Sequence, residues 1–78
     1  MRAKVHVFLK PGVLDVQGKA IEGALHGLGF AGAANVRVGK TIELDVQGDA
    51  AAAQAEATRM AEQLLANTVI ESFRVEVG

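Results

Sequence analysis

Cysteine is missing from this chain of 78 residues, so no disulfide can stabilise it. The only two histidines, His6 and His26, are isolated, and without cysteine they do not form the four-ligand pattern of a structural zinc site. A chain of this length buries only about 60% of its unfolded surface and usually needs a disulfide, a metal or a partner subunit. We therefore expect one small domain, residues 1–78, that is supported by oligomerisation.

A basic surplus and a long apolar run are also missing. The formal net charge is −1, and the eight Lys and Arg residues are scattered along the chain, whereas surfaces that bind nucleic acid or anionic membranes are basic. No segment approaches the roughly 18 apolar residues of a membrane span, and the first residues alternate without signal-peptide character. We expect no nucleic-acid partner, no membrane partner and a cytoplasmic location.

Nucleophiles and histidines that could serve covalent or acid–base catalysis are equally scarce. Ser72 is the only serine, and it lies at the start of a predicted strand without a partner base. His26 follows Glu22 by four residues on a predicted helix, and this pairing is more typical of a surface histidine than of a general base. The sequence predicts no catalytic, cofactor-binding or metal-binding residue, and its few aromatics do not suit an RNA-binding sheet.

Hydrophobic periodicity predicts an alternation of strands and helices. A period of two predicts strands over residues 2–10 and 70–77. Two further alternating stretches lie within residues 35–46, and they predict either a hairpin or one kinked strand. A helical period predicts helices over residues 16–28 and 50–66, and Asp15 is the expected N-cap of the first. Their predicted apolar stripes include Ile21, Ala24, Leu25 and Leu28 in the first helix and Ala53, Ala57, Met60, Ala61, Leu64 and Thr68 in the second.

These elements define a fold class. Lys10-Pro11-Gly12 predicts a type II turn after the first strand. The order β-α-β-β-α-β predicts an α+β two-layer sandwich of the ferredoxin-like type, with two helices on one face of an antiparallel sheet. The opposite face is expected to be either solvated surface or a polar dimer interface with cross-strand ion pairs. It would carry His6, Phe8, Lys10, Arg37, Glu43, Asp45, Arg74 and Glu76.

Two glycine-containing segments match all or part of the sequence motifs of nucleotide-binding loops. Residues 27–32 match G-x-G-x-x-G, but a predicted helix precedes them and a strand follows, the reverse of what pyrophosphate binding requires. We interpret them as a helix C-terminus and loop. Gly39-Lys40-Thr41 lacks the earlier glycine and the following helix of a phosphate-binding loop, and we interpret it as a hairpin turn. A ligand-sensing regulatory domain, with its small-molecule site at the loop 27–32, stays open as an alternative function.

Four segments spread over nearly the whole chain carry a resemblance to a known family. They are VHVFLK followed by PGVLDVQG at residues 5–18, VRVGK at 36–40, IEL at 42–44 and LLANTVIE at 64–71. In combination they resemble the PurS family, the small subunit of phosphoribosylformylglycinamidine synthase in purine biosynthesis.

The resemblance implies a subunit of a three-component amidotransferase, inactive by itself. A glutaminase subunit of the PurQ type would release ammonia from glutamine. A large synthetase subunit of the PurL type would use ATP and magnesium to convert formylglycinamide ribonucleotide into formylglycinamidine ribonucleotide. This chain would bridge the two enzymes as a homodimer or tetramer, and would hold no cofactor of its own.

Eight motif positions are implied to serve structure or partner contact. They are Asp15, Gln17, Gly18, Arg37, Gly39, Lys40, Asn67 and Thr68. Asp15 is predicted to cap a helix and Gly18 to permit close packing. Gly39 is predicted to supply turn geometry, and Asn67 to end the second helix in the left-handed conformation. Arg37 and Lys40 are the predicted partner contacts, because both are charged and can pair with carboxylates.

Overall fold

Three strands and two helices make up the computed structural model, which describes all residues from Met1 to Gly78. Strand β1 spans Arg2–Leu9, helix α1 Val16–Gly27, strand β2 Gly39–Asp45, helix α2 Ala50–Met60 and strand β3 Glu71–Val77, and a π-helical turn over Ala61–Leu65 continues α2. The sheet has the order β2-β1-β3, and both pairs are antiparallel. The predicted α+β class is confirmed.

The middle of the chain contributes one strand to the sheet rather than two. Gly39 lies opposite Phe8 and Thr41 opposite His6 in the β1–β2 register, so the predicted hairpin turn at residues 39–41 is wrong. Residues 36–38 lie outside the sheet, since the Val38 N–H donates to Asp15 and β2 begins at Gly39, opposite Phe8 near the end of β1. Its chain turns away at Pro11, where the Val13 N–H donates to the Lys10 carbonyl at 3.1 Å and Gly12 has a φ of 89°, which confirms the type II turn.

The core lies between α2 and the inner face of β1. Its eight buried residues comprise five alanines and three valines, namely Ala3, Val5, Val7, Val46, Ala53, Ala57, Ala61 and Ala66. Helix α2 contacts both β1 and β3, and the alanines on its inner face let it approach the sheet closely. Val5 and Val7 are the largest fully buried side chains, so the core of the single chain is small.

The π-helical turn changes which side chains of the second helix face the core. Its hydrogen bond runs from the Ala66 N–H to the Ala61 carbonyl at 2.9 Å, a spacing of five residues instead of four. The wider turn shifts the helix phase, so Leu65 and Ala66 turn inward while Leu64 is 83% exposed. The prediction that Leu64 belongs to the buried stripe is therefore wrong.

Helix α1 projects from the sheet. No strand or helix packs extensively against it, and Ile21, Ala24 and Leu28 of its predicted packing stripe are exposed. The radius of gyration is 15.7 Å, against about 11.5 Å for a compact chain of this length. We call residues 16–38, comprising α1 and the segment that leads to β2, the arm. Neither helix has the length and apolar character needed to cross a membrane.

The outer sheet face is polar, as expected. Arg2 contacts Glu43 at 3.8 Å and Asp45 at 3.4 Å across β1 and β2. His6 lies in the middle, with its Nδ1 3.0 Å from Thr41 Oγ1 and its Nε2 3.1 Å from a Glu76 oxygen. Cross-strand ion pairing is therefore present, with Arg2 as the cation beside the two β2 carboxylates.

Candidate functional site

The predicted motif residues converge at one end of the sheet, where β1 ends and β2 and β3 begin. We call this region the motif end and define it as residues 9–18, 36–40 and 67–71. It contains all eight motif positions, although they are spread over more than fifty residues of sequence. The antiparallel pairing of β1 with both neighbours brings the three segments together.

Asp15 joins two of these segments. Its Oδ1 accepts from the Gly18 N–H at 2.8 Å, which confirms the predicted N-cap of α1, and its Oδ2 accepts from the Val38 N–H at 2.7 Å. These two bonds lower the pKa of the Asp15 carboxyl below its usual value, and the bond from Val38 has the larger effect. The charge of Arg37 lowers this pKa slightly further, whereas burial of the carboxyl raises it. The buried carboxylate thus fixes the start of α1 against the chain entering β2.

Gly18 and Glu22 extend this joint along α1. A Cβ atom at Gly18 would overlap the Val36 carbonyl oxygen and lie 2.9 Å from Asp15 Oδ2, so close packing at Gly18 is confirmed. One turn later Glu22 accepts from the Val36 N–H at 3.1 Å, and this bond is the largest cause of the lowered pKa of Glu22. The predicted pairing of Glu22 with His26 is not formed as a hydrogen bond, because His26 Nε2 contacts the Ala33 carbonyl at 2.6 Å.

Arg37 lies at the motif end and not on the outer sheet face where it was predicted. Its guanidinium donates to the carbonyls of Val13 at 3.1 Å, Lys10 at 3.2 Å and Leu9 at 3.5 Å. These carbonyls belong to the end of β1 and the turn after it. The donors of Arg37 are therefore used to hold that turn against the segment before β2.

Gly39 and Asn67 have local roles other than those predicted. Gly39 lies within β2 without a positive φ, and a Cβ there would be 2.9 Å from the Val7 carbonyl oxygen, so close approach replaces turn geometry. Asn67 does not adopt the left-handed conformation. Its side-chain oxygen accepts from the Val69 N–H at 3.2 Å and its carbonyl accepts from the Glu71 N–H at 2.7 Å, so it forms the turn into β3.

Thr68 completes the motif end through its main chain. Its carbonyl accepts from Lys10 Nζ at 2.8 Å, which ties the turn after the π-helical segment to the end of β1. Glu71 was missed by sequence reasoning. Its Oε1 accepts from the Asn67 N–H at 2.6 Å. A lone glutamate at a strand start gives no sequence signal for such a backbone contact.

An open cleft of about 230 Å³ lies at the motif end. Its lining includes Gln17, Lys40 and Glu71 together with Phe8, Val38 and Gly39. The side chains of Gln17 and Lys40 are exposed and make no hydrogen bond within the chain. They are therefore available to contact another molecule.

A second, smaller cleft of about 140 Å³ lies beside the arm and is lined by residues such as Lys19, Glu22 and Asn35. No Ser, Thr, Cys or His lines either cleft, and neither contains a residue from 27–32. No group of three or more His, Asp or Glu side chains is placed to hold a metal ion. Residues 27–32 instead end α1, where the Phe30 N–H donates to the Leu25 carbonyl at 2.9 Å, which confirms their interpretation as a helix C-terminus and loop.

The fold and the motif end define the class of protein: it is a small α+β domain whose motif residues come together at one end of its sheet. The family model described as "PurS: Phosphoribosylformylglycinamidine (FGAM) synthase" matches residues 2–78. A PurS subunit of phosphoribosylformylglycinamidine synthase from Mycobacterium leprae is 49% identical over 95% of this chain and 91% of that protein. The chain therefore belongs to the PurS family of phosphoribosylformylglycinamidine synthase.

Solved structures show the same fold. Methanocaldococcus jannaschii PurS, described as one of the subunits of formylglycinamide ribonucleotide amidotransferase, is similar with a TM-score of 0.91 at 34% identity, over 99% of this chain and 94% of that one. A chain in the structure of PurLQS from Thermotoga maritima is similar with a TM-score of 0.87 at 28% identity, over 96% of this chain and 93% of that one. The latter places a protein of this fold in an assembly with PurL and PurQ.

Proposed function

We propose that this chain is a non-catalytic subunit that bridges a PurL-type synthetase and a PurQ-type glutaminase. The likeness to a chain of the Thermotoga maritima PurLQS structure supports this role. In the proposed complex, ATP, magnesium and glutamine are used by the two partner enzymes. Glutamine-derived ammonia then converts formylglycinamide ribonucleotide into formylglycinamidine ribonucleotide. Because ATP and glutamine are supplied in the cytoplasm, we place the complex there.

The observation that carries the proposal is the construction of the motif end. Asp15, Gly18 and Arg37 use their polar groups and close contacts within the chain, so they hold the surface rigid. Gln17 and Lys40 project from that rigid surface with free polar groups. A rigid surface loses little conformational freedom on binding. The motif end therefore suits recognition of a larger protein, with Lys40 placed to meet a carboxylate of the partner.

Substitution of Lys40 by alanine tests this surface. We expect Lys40→Ala to weaken binding to the partner enzymes by about tenfold, because a charged contact beside a cleft is removed from an interface. The stability of the chain should not change, because Lys40 Nζ has no partner within the chain. Binding can be measured by titrating labelled chain with each enzyme, and stability by urea unfolding.

Arg59→Ala is the matched control for this experiment. Arg59 is an exposed cation on α2, outside the residues that define the motif end, and its only ion pair is the exposed contact with Glu56 at 3.4 Å. The control should bind both enzymes within about twofold of the wild type, since exposed ion pairs contribute little. Equal binding by Lys40→Ala and the wild type would remove the motif end from the proposed interface.

A further inference from the structure

The π-helical turn over Ala61–Leu65 brings an apolar side chain to the surface. If the α-helix simply continued, Leu64 would follow Ala57 and Ala61 on the buried side of the helix. Instead Leu64 is 83% exposed, while both alanines are fully buried. Val69, within the turn that leads into β3, is 80% exposed. We call Leu64 and Val69 the apolar pair. Helical turns of this rare kind are frequently found at functional sites.

Hydrogen bonds hold the chain around the apolar pair in one conformation. The Asn67 N–H donates to Glu71 Oε1 at 2.6 Å, and the Asn67 side-chain oxygen accepts from the Val69 N–H at 3.2 Å. Lys10 Nζ donates to the Thr68 carbonyl at 2.8 Å, which attaches the same turn to the end of β1. The motif residues Asn67 and Thr68 therefore fix the position of the pair. Apolar side chains on such a fixed segment lose little conformational freedom when they bind.

The apolar pair lies close to the free ammonium group of the motif end. Val69 belongs to the motif end, and Leu64 immediately precedes the turn that carries it. Strands β2 and β3 flank β1, and neighbouring strands are about 5 Å apart, so Lys40 in β2 and the start of β3 are separated by roughly 10 Å across the sheet. A standard interface covers about 800 Å² of each partner, a patch roughly 30 Å across. One partner can therefore contact the pair and Lys40 together.

We propose that the apolar pair inserts into an apolar pocket of the same partner enzyme whose carboxylate meets Lys40. The inference rests on the proposed bridging function and specifies the surface that the chain recognises: an apolar pocket with an acidic group beside it. Packing within the chain does not account for the pair, because the core and the residues packed against it include Leu65 but neither Leu64 nor Val69. The buried centre of an interface is apolar and its rim is polar, so the pair forms the centre and Lys40 the rim.

Titration of each partner enzyme with labelled chain tests the proposal. Leu64→Asp should weaken binding to one enzyme at least tenfold, because it would bury a carboxylate in an apolar pocket, and Lys40→Ala should weaken binding to that same enzyme. Ala55→Asp is the matched control, since it places the same charge on an exposed residue of α2 outside the motif end, and it should bind within about twofold of the wild type. Val69→Ala covers the case in which Leu64→Asp does not fold, and it should weaken binding to the same enzyme about fivefold because two buried methyl groups are lost.

Three results would overturn the inference while the wild type still binds both enzymes and the proposed function stands. The first is that Leu64→Asp and Val69→Ala bind as tightly as the control. The second is that Leu64→Asp and Lys40→Ala lose binding to different enzymes, since the pair and Lys40 would then belong to two interfaces. The third is that the free Leu64→Asp chain sediments with a smaller mass than the wild type, which would assign the pair to contacts between copies of the chain. A wild type that binds neither enzyme would overturn the proposed function as well.

Discussion

Replacing Gly18 with alanine tests the joint between α1 and the chain that enters β2. Gly18 is buried in the first turn of α1, directly against the Val36 carbonyl and the Asp15 carboxylate. The added Cβ would lie 2.9 Å from Asp15 Oδ2 and 3.0 Å from its Cγ, besides overlapping the Val36 oxygen. Neither neighbour can give way freely, because Val36 is held by Glu22 and Asp15 is held by Val38.

Two opposing effects determine how much Gly18→Ala changes the free energy of unfolding. Alanine stabilises a helix interior by about 0.5–1 kcal/mol over glycine. Overpacking a closed site costs about 1–3 kcal/mol and sometimes more, and here the obstacle includes a backbone oxygen. The steric cost should exceed the helical gain, so we expect Gly18→Ala to lower the free energy of unfolding by about 1–2 kcal/mol.

Urea unfolding followed by circular dichroism measures this difference. Lys19→Ala is the neighbouring control, because Lys19 is exposed and makes no hydrogen bond, and it should stay within about 0.5 kcal/mol of the wild type. If Gly18→Ala is as stable as the wild type or more stable, α1 is not held against Val36 as described, and the rigid motif end loses its basis.

Two further predictions concern the core and the response to acid. Val5→Ala should cost about 2 kcal/mol in urea unfolding because it empties a fully buried site, whereas Val69→Ala, 80% exposed, should change stability by less than about 0.5 kcal/mol; equal effects would contradict the described core. The folded-state pKa values of Asp15 and Glu22 lie below their usual 3.8 and 4.5. The two carboxylates therefore stabilise the fold at pH values above their usual pKa values. This stabilisation is lost as the pH falls and the carboxylates become protonated in the folded chain. Unfolding measured across this range should show a shallower acid loss for Asp15→Asn, and an unchanged loss would contradict the assignment.

Local chemistry was enough to predict β1, β3, the start of α1 and its cap. Asp15 precedes an amphipathic segment, and Pro11 followed by Gly12 suits the two central positions of a type II turn. Gly39 and Leu64 could not be placed in the same way. Gly39 belongs to β2 because β1 supplies a partner up to Phe8, and Leu64 is exposed because a π-helical turn shifts the helix phase. The positions of both residues depend on contacts formed in the folded chain, which a local sequence pattern does not indicate.

The motif end was predicted as a set of positions but not as a surface. Arg37 was expected to contact a partner, yet its guanidinium binds carbonyls 24 to 28 residues away within the chain. Asn67 was expected to take the left-handed conformation, yet it forms a side-chain turn before β3. Lys40, a residue of the same motif, keeps a free ammonium group. The sequence alone does not distinguish the motif residues that hold the motif end together from those that are exposed on it. The distinction follows from the pairing of the three strands.

The most direct test of the proposed function is glutamine-dependent formation of formylglycinamidine ribonucleotide by the cognate PurL-type and PurQ-type enzymes, measured with and without this chain. A parallel reaction with ammonia in place of glutamine reports whether the synthetase itself is active. We predict that the glutamine reaction needs the chain, that the ammonia reaction proceeds without it, and that all three proteins co-elute. Equal glutamine-dependent rates with and without the chain would contradict the bridging role.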